Sequence, residues 1–263
     1  RVSSNDPNIQ NIPVRTGLGR RVRNAFVAQQ APDWLLLGAD YSQIELRILA
    51  HLSKDPSLLE AFETGLDIHA ATASQVYDVP LGQLVPDMRR IAKIMNFGVI
   101  YGLSPFGISQ QTGLSPDEGK KFIDTYFGRY PGIRDYIDSI KAEVAQNGYV
   151  ETLMGRRRYI PEINSRSFHV RAAGERMAIN MPIQGTAADV IKIAMVRIQE
   201  RLDSQGLRSL MIIQVHDELI FESPQHELED LRSMILEVMP SAMNLAVPLH
   251  VELKVGSTWG NMQ

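Results

Sequence analysis

The chain has 263 residues, 44% hydrophobic and 22% charged, with 27 Lys and Arg against 30 Asp and Glu for a net charge of −3. That is the balance of a globular protein able to bury a real core, and no apolar run reaches the roughly 18 residues that a membrane-spanning helix needs. Cysteine is absent, which excludes disulfides, thiolate nucleophiles and cysteine-based zinc sites and suits a reducing cytoplasm. There is no secretory pattern at the N-terminus, and a first residue of Arg1 suggests a segment of something longer.

The charge is unevenly spread. Residues 7–32 hold Arg15, Arg20, Arg21 and Arg23 and no acid, residues 152–180 hold six arginines against Glu162 and Glu175, and residues 217–252 hold eight acids against Arg232 alone. Opposed regions of this kind suit a protein that grips a polyanion with one surface and binds cations with another, although ordinary solvated faces would look the same.

Residues 1–33, with Pro7, Pro13 and Pro32, read as mostly irregular. WLLLGADYS reads as a buried strand from Trp34 to Asp40 running into Tyr41 and Ser42, and IELRILAHLS as a helix with Ile44, Ile48, Leu49 and Leu52 on one side. Asp55-Pro56 opens a further helix through N-cap and first-turn chemistry, and a helical middle continues to about residue 146. Within it Ser115 to Glu118, SPDE, forms a capping box. GYVETLMGRRRYIPEI has the pattern of a hairpin with MGRR as its turn. Helices are expected over 167–184 and 186–205, a second hairpin around residue 216, a helix over 225–239 and a last strand from Leu249 to Val255, with His250, Glu252 and Lys254 alternating along it. Strands at both ends with helices between them give an α+β fold: a small, mainly antiparallel sheet with a helical insertion.

Three groups of residues carry chemistry. Asp40 ends a buried strand, where a carboxylate needs a cation or hydrogen-bond donors, and Glu45 follows in the first turns of the next helix; helix capping by Asp40 and Ser42 would be the plainer explanation. In QVHDELIF, Asp217 and Glu218 sit at a hairpin turn that lacks the Asn-Gly or Asp-Gly of a simple tight turn. A hydrated turn also welcomes Asp, but paired with distant Asp40 it would supply carboxylates for Mg²⁺. In MRRIAKIMNFGVIYG, Arg89, Lys93, Phe97 and Tyr101 recur every four residues along one slowly drifting helix stripe, while Ile91, Ile94 and Met95 are free to pack. Two cations followed by two rings have the order of a nucleoside triphosphate, phosphates first and base last; a solvated basic face ending in core aromatics is the alternative. No H-E-x-x-H occurs, and the six histidines are scattered.

DYSQIELR, RRIAKIMNFGVIYG and QVHDE, in this order, resemble the three polymerase motifs of the bacterial DNA polymerase I family, the family A DNA polymerases. DPNIQNIP, DIHAATAS, GRRR and ERMAINMPIQGTAAD match supporting segments, so the resemblance covers essentially the whole chain. It implies a right-hand architecture: a palm from residues 1–45 and 167–263, with its hairpin near 209–223, fingers from 46–166, and a thumb absent from this chain. It implies template-directed addition of deoxynucleotides to a primer 3′-hydroxyl with release of pyrophosphate. Asp40 and Asp217 become the catalytic metal-binding carboxylates, with the Tyr41 carbonyl as a further ligand and Glu218 as an accessory acid; two Mg²⁺ ions are the expected cofactors, with Mn²⁺ able to substitute. Arg89 and Lys93 would hold the triphosphate, with His69 and Gln43 beside them, and Lys93 could also protonate the departing pyrophosphate. Phe97 would pack on the incoming sugar and base, Tyr101 would fill the template-base site until the fingers close, and Glu45 would be the steric gate against a 2′-hydroxyl. Arg1, Gln10, Asn11, Arg15, Arg176, Asn180, Gln184 and His216 match residues that touch the primer–template duplex. The expected partners are primer–template DNA and deoxynucleoside triphosphates, with no membrane. The expected protein is a monomer in the bacterial cytoplasm, nucleoid-associated, with N-terminal thumb and exonuclease-type domains in the full-length chain. A DNA-binding fragment that needs the thumb for activity, a single-subunit RNA polymerase and a metal-dependent nuclease remain as alternatives; Glu45 speaks against the second and the cation–aromatic stripe against the third.

Overall fold

The computed structural model describes residues 4–13, 16–102 and 104–262. The chain divides into two compact units, one comprising residues 1–44, 187–244 and 249–263, the other residues 45–186 and 245–248.

The first unit is built on a four-stranded antiparallel sheet in the order β4-β5-β1-β6, with β1 Trp34–Tyr41, β4 Leu210–Val215, β5 Glu218–Pro224 and β6 Val251–Gly256. Period-two alternation gives β1 two different faces. Leu37, Ala39 and Tyr41 are buried on one of them, and the Tyr41 hydroxyl donates to the Met239 carbonyl (2.7 Å) just beyond helix α10, Leu228–Val238. On the other, Trp34 and Leu36 join Ala28, Val215, Ile220 and Trp259 in a cluster rimmed by Ile12, Phe26, Ile213 and Met262. Towards the end of that face the apolar residues give way to Gly38 and Asp40. The sequence leads one to expect a mostly irregular chain before residue 33, and within it α1 spans Gly17–Arg23. The Thr16 side chain caps it by accepting from Gly19 N–H (3.1 Å), and a Cβ on Gly19 would collide with the Pro13 carbonyl. Of the two glycines that argue against a helix, Gly19 is there for close approach, while a Cβ on Gly17 would meet open space.

The second unit is mainly helical: α2 Ile44–Ser53, α3 Pro56–Glu63, α4 Ile68–Tyr77, α5 Pro86–Ile100, α6 Pro105–Thr112, α7 Pro116–Arg129 and α8 Pro131–Asn147. The α2 bounds and the Asp55-Pro56 start are as expected, and Ser115 and Glu118 form the capping box. Fully buried Asp55 accepts from Leu58 N–H (3.1 Å) and from Gly132 N–H (2.9 Å), so one carboxylate starts α3 and fastens the start of α8.

The short hairpin β2 Tyr149–Glu151 and β3 Arg157–Tyr159 pairs Glu151 with Arg157. Its connection is therefore Thr152–Arg156, with Gly155 at φ 73°, and not MGRR. The two helices expected on either side of Gly185 are one helix, α9 Phe168–Gln205; Gly185 does not break it but makes room, since a Cβ there would lie 2.5 Å from Thr152 Cγ2. The helix expected over 225–239 begins with a 3₁₀ turn at Gln225–Glu227, and the last strand starts at Val251, two residues later than expected.

Candidate active site

In the first unit the strand register collects the acids. Asp40 lies opposite Glu218 of β5 and opposite Glu252 of β6. Directly opposed residues of an antiparallel sheet share a face, so three carboxylates lie side by side across the sheet. The β4–β5 turn is only His216-Asp217, closed by the Val215–Glu218 pair, and Tyr41 N–H donates to the Asp217 carbonyl (3.2 Å). The end of β1 and the turn are thereby locked together across 177 positions of sequence (217 − 40). His216 makes so short a turn by taking φ 56°, and Gln43, just past β1, takes φ 55°. Such left-handed conformations are uncommon for residues other than glycine.

The Glu218 carboxylate occupies space left by Gly38: a Cβ there would sit 2.9 Å from Glu218 Oε1. Burial first, then the charges of Asp217, Glu218 and Glu252, push the Asp40 carboxyl up to about 7 against the pull of Lys254. Burial also raises Glu218, with Asp217 adding to it and Arg23 and Lys254 opposing. Arg23 and Lys254 are thus part of the site's electrostatics, although the sequence reading gave neither a role. The run of arginines without acids before residue 33 was the available signal for Arg23, which also donates to the Ile12 carbonyl (3.2 Å) and stacks over Trp259 (4.2 Å). Among the described residues no group of three or more His, Cys, Asp or Glu side chains is arranged to hold a metal by itself. What the site offers is oxygen donors under mutual repulsion, which fits a hard divalent cation that keeps water and other oxygen ligands.

In the second unit, α5 carries the expected stripe. Arg89 and Lys93 are exposed, Phe97 is half-buried, and Ile91, Ala92 and Met95 pack inward. Tyr101 lies one residue beyond α5 and extends its last turn through N–H bonds to the Phe97 and Gly98 carbonyls. Its hydroxyl donates to Glu45 Oε2 (3.1 Å), so Glu45, which is buried, and the last ring of the stripe are partners. Arg89 forms a two-nitrogen pair with Asp67 (2.8 and 2.5 Å). Asp67 in turn caps α4 by accepting from His69 N–H (2.9 Å) and Ala70 N–H (3.1 Å), and these donors hold its carboxyl below the usual range despite burial, which acts the other way. His69 is buried beside Phe97, with ring centroids 5.7 Å apart.

Arg176, Asn180 and Gln184 recur every four residues along α9, and Asn180 Nδ2 donates to the Ile100 carbonyl (3.5 Å). Gln10 Nε2 donates to the Gln214 carbonyl (2.8 Å), two residues before exposed His216, and Asn11 is exposed. Arg1 and Arg15 lie outside the described residues.

The sequence profile of DNA polymerase family A matches residues 1–261. The chain belongs to DNA polymerase family A. It is 52% identical over 259 residues to DNA polymerase I of Pseudomonas aeruginosa, 51% to the thermostable DNA polymerase I of Thermus aquaticus and 50% to DNA polymerase I of Bacillus caldotenax. Each match covers 98% of this chain and 28%, 31% and 29% of the relative, so this family A chain spans about 30% of the length of these relatives. Among solved structures it is similar to the POL domain of Pol1 from M. smegmatis in complex with DNA primer-template and dNTP, at 46% identity and a TM-score of 0.95, covering 100% of this chain and 46% of that one. The α+β expectation therefore holds as a mixed helical and antiparallel architecture of the polymerase-domain type. No helix among the described residues is long and apolar enough to cross a membrane.

Proposed function

We propose that this chain is the catalytic core of a DNA-directed DNA polymerase, extending a primer 3′-hydroxyl with deoxynucleotides on a template strand and releasing pyrophosphate. The observation that carries the reading is the coupling of Asp40 to the 216–218 turn through the β1–β5 register and the Tyr41–Asp217 backbone bond, in a chain whose relatives are DNA polymerases. In this reading residues 1–45 and 167–263 are the palm and residues 46–166 the fingers of a right hand. Asp40 and Asp217, with the Tyr41 carbonyl, would hold two divalent cations of the Mg²⁺ type. Such ions, when bound, ease formation of the attacking alkoxide and stabilise charge on the reacting phosphate.

The chain's own groups do the remainder. Glu218, held over Gly38, orients the acidic row. Arg89 and Lys93 bind the triphosphate, Arg89 sharing or exchanging its Asp67 partner, with Gln43 and His69 beside them; Lys93 donates a proton to pyrophosphate as it leaves. Phe97 packs on the incoming sugar and base, Tyr101 holds the template-base position until it is displaced, and Glu45 excludes a 2′-hydroxyl. Gln10, Asn11, Arg176, Asn180, Gln184 and His216, with Arg1 and Arg15, contact the duplex. Acceptors in the minor groove recur at similar places in every correct pair, so such contacts check pair shape and not sequence.

Primer extension with and without Mg²⁺, by this chain and by one extended at its N-terminus, tests the reading. Asp217→Asn is expected to lower extension by ~10²–10³-fold, the scale of losing a preorganised electrostatic group. Near-wild-type extension by that variant would sink the two-cation assignment, and DNA binding without extension by either chain would favour the binding-fragment alternative.

A further inference from the structure

The interior of the helical unit holds a hydrogen-bonded network behind His69 whose other members have no assigned role. Asn96 lies on α5 between Met95 and Phe97 and is only 1% exposed. Its amide meets His69 and Thr72 of α4 and Tyr126 of α7. The Tyr126 hydroxyl donates to Asn96 Oδ1 (3.2 Å), and a buried phenol must spend its proton on an acceptor. This fixes which way the amide faces. Asn96 Nδ2 then donates to Thr72 Oγ1 (3.0 Å) and to His69 Nδ1 (3.1 Å). Thr72 Oγ1, which also meets the Tyr130 hydroxyl (3.1 Å), donates to the Ile68 carbonyl (2.8 Å). The result is a closed account, in which one assignment of protons satisfies each of these groups.

We infer that Asn96 is a positioning residue: by donating to His69 Nδ1 it fixes the neutral tautomer, so that His69 offers an Nε2–H, and no positive charge, to a triphosphate oxygen. The inference rests on the reading of His69 as a phosphate contact. Its chemistry differs from that of the two cations on the neighbouring stripe, because a neutral donor adds direction without adding charge. The charged groups facing His69 are Asp67 at the start of α4 and Arg89 and Lys93 on α5; burial is the largest cause, Asp67 pulls the other way and Lys93 and Arg89 add to the lowering, and the imidazole is driven down to about 4. The ring therefore stays neutral throughout the neutral pH range.

The test is ¹⁵N NMR of the histidine-labelled chain, the His69 signals being assigned by their loss in His69→Ala. The expected spectrum at pH 7 shows Nδ1 unprotonated and Nε2 protonated, with no titration until below pH 5, and addition of dTTP shifts the Nε2–H signal. Asn96→Asp keeps the shape and turns the donor into an acceptor, so Nδ1 becomes protonated. Tyr126→Phe removes the donor that fixes the amide and leaves His69 in mixed tautomers; it serves where the buried aspartate prevents folding. A wild-type His69 that is protonated at Nδ1, or charged at pH 7, overturns the inference whatever the variants do. His69→Ala is expected to weaken dTTP binding about tenfold or more, the scale of a hydrogen bond to a charged group. An unchanged dTTP affinity would remove the phosphate contact, and with it the role given to Asn96, while the tautomer measurement stood separately.

Discussion

Asp40 carries its charge at a cost. Its neighbours in register are acids, and burial is the largest contribution to its raised value of about 7, against 3.8 for an ordinary aspartate. Between those two values the folded chain keeps a proton that the unfolded chain has released, so the free energy of unfolding falls as pH rises through that window. Asp40→Asn should therefore raise the melting temperature of the metal-free chain at pH 8, lose that advantage near pH 4, and lose part of it when Mg²⁺ is added to the wild type. Solvent reaches Asp40, so screening limits the gain to on the order of 1–2 kcal/mol; a thermal melt at each pH measures it. The residue that removes stability is the one proposed for catalysis, the usual relation between an active site and its fold. At Glu45 the expectation is narrower. Its carboxylate is buried and its Tyr101 partner is close, so on the proposed gate role Glu45→Ala opens the space it denies to a 2′-hydroxyl. Discrimination against ribonucleotides should fall by at least tenfold in competition assays; unchanged sugar selectivity would remove the gate role.

At the scale of elements, α9 shows how tertiary contact overrides propensity. A glycine and a proline in its middle, Gly185 and Pro182, argue for a break, yet the helix runs through 38 residues. Alanine is the better helix former by about 1 kcal/mol, but a Cβ at 185 would sit 2.5 Å from Thr152 Cγ2 on the β2–β3 hairpin. Gly185→Ala is expected to destabilise the chain by roughly 1–3 kcal/mol through overpacking. Thr152→Ser, which deletes the obstructing methyl, should recover most of that loss in the double variant, as measured by urea unfolding. The elements whose ends are set locally were legible from the sequence: the Ser115–Glu118 box, Asp55-Pro56 and the bounds of α2. The α1 helix, the continuity of α9 and the position of the hairpin turn were not: Gly19 packs on the Pro13 carbonyl, Gly185 makes room for Thr152, and the turn is set by Gly155 at φ 73°, and none of these uses of glycine shows in helix propensity or hydrophobic period.

At the scale of the whole molecule, a net charge of −3 conceals the six arginines of residues 152–180. Affinity for primer–template should accordingly fall with salt, and Arg176→Ala should lower the slope of log affinity against log salt by about one, uniformly across sequences, in filter-binding assays. By itself the sequence determined the family, through three ordered motifs and their supporting segments, and the antiparallel sheet with helical insertion, through hydrophobic period and end signals. It also singled out Asp40, Asp217 and the Arg89–Tyr101 stripe, because strand ends and four-residue spacing can be read along one dimension. Only the tertiary structure decided that Glu252 stands in register with Asp40, that Arg23 and Lys254 temper the acids, and that Asn96 faces His69. Those relations join residues far apart in the chain, and side-chain chemistry across such separations is set by strand register and helix packing, which leave no periodic trace in the residues themselves.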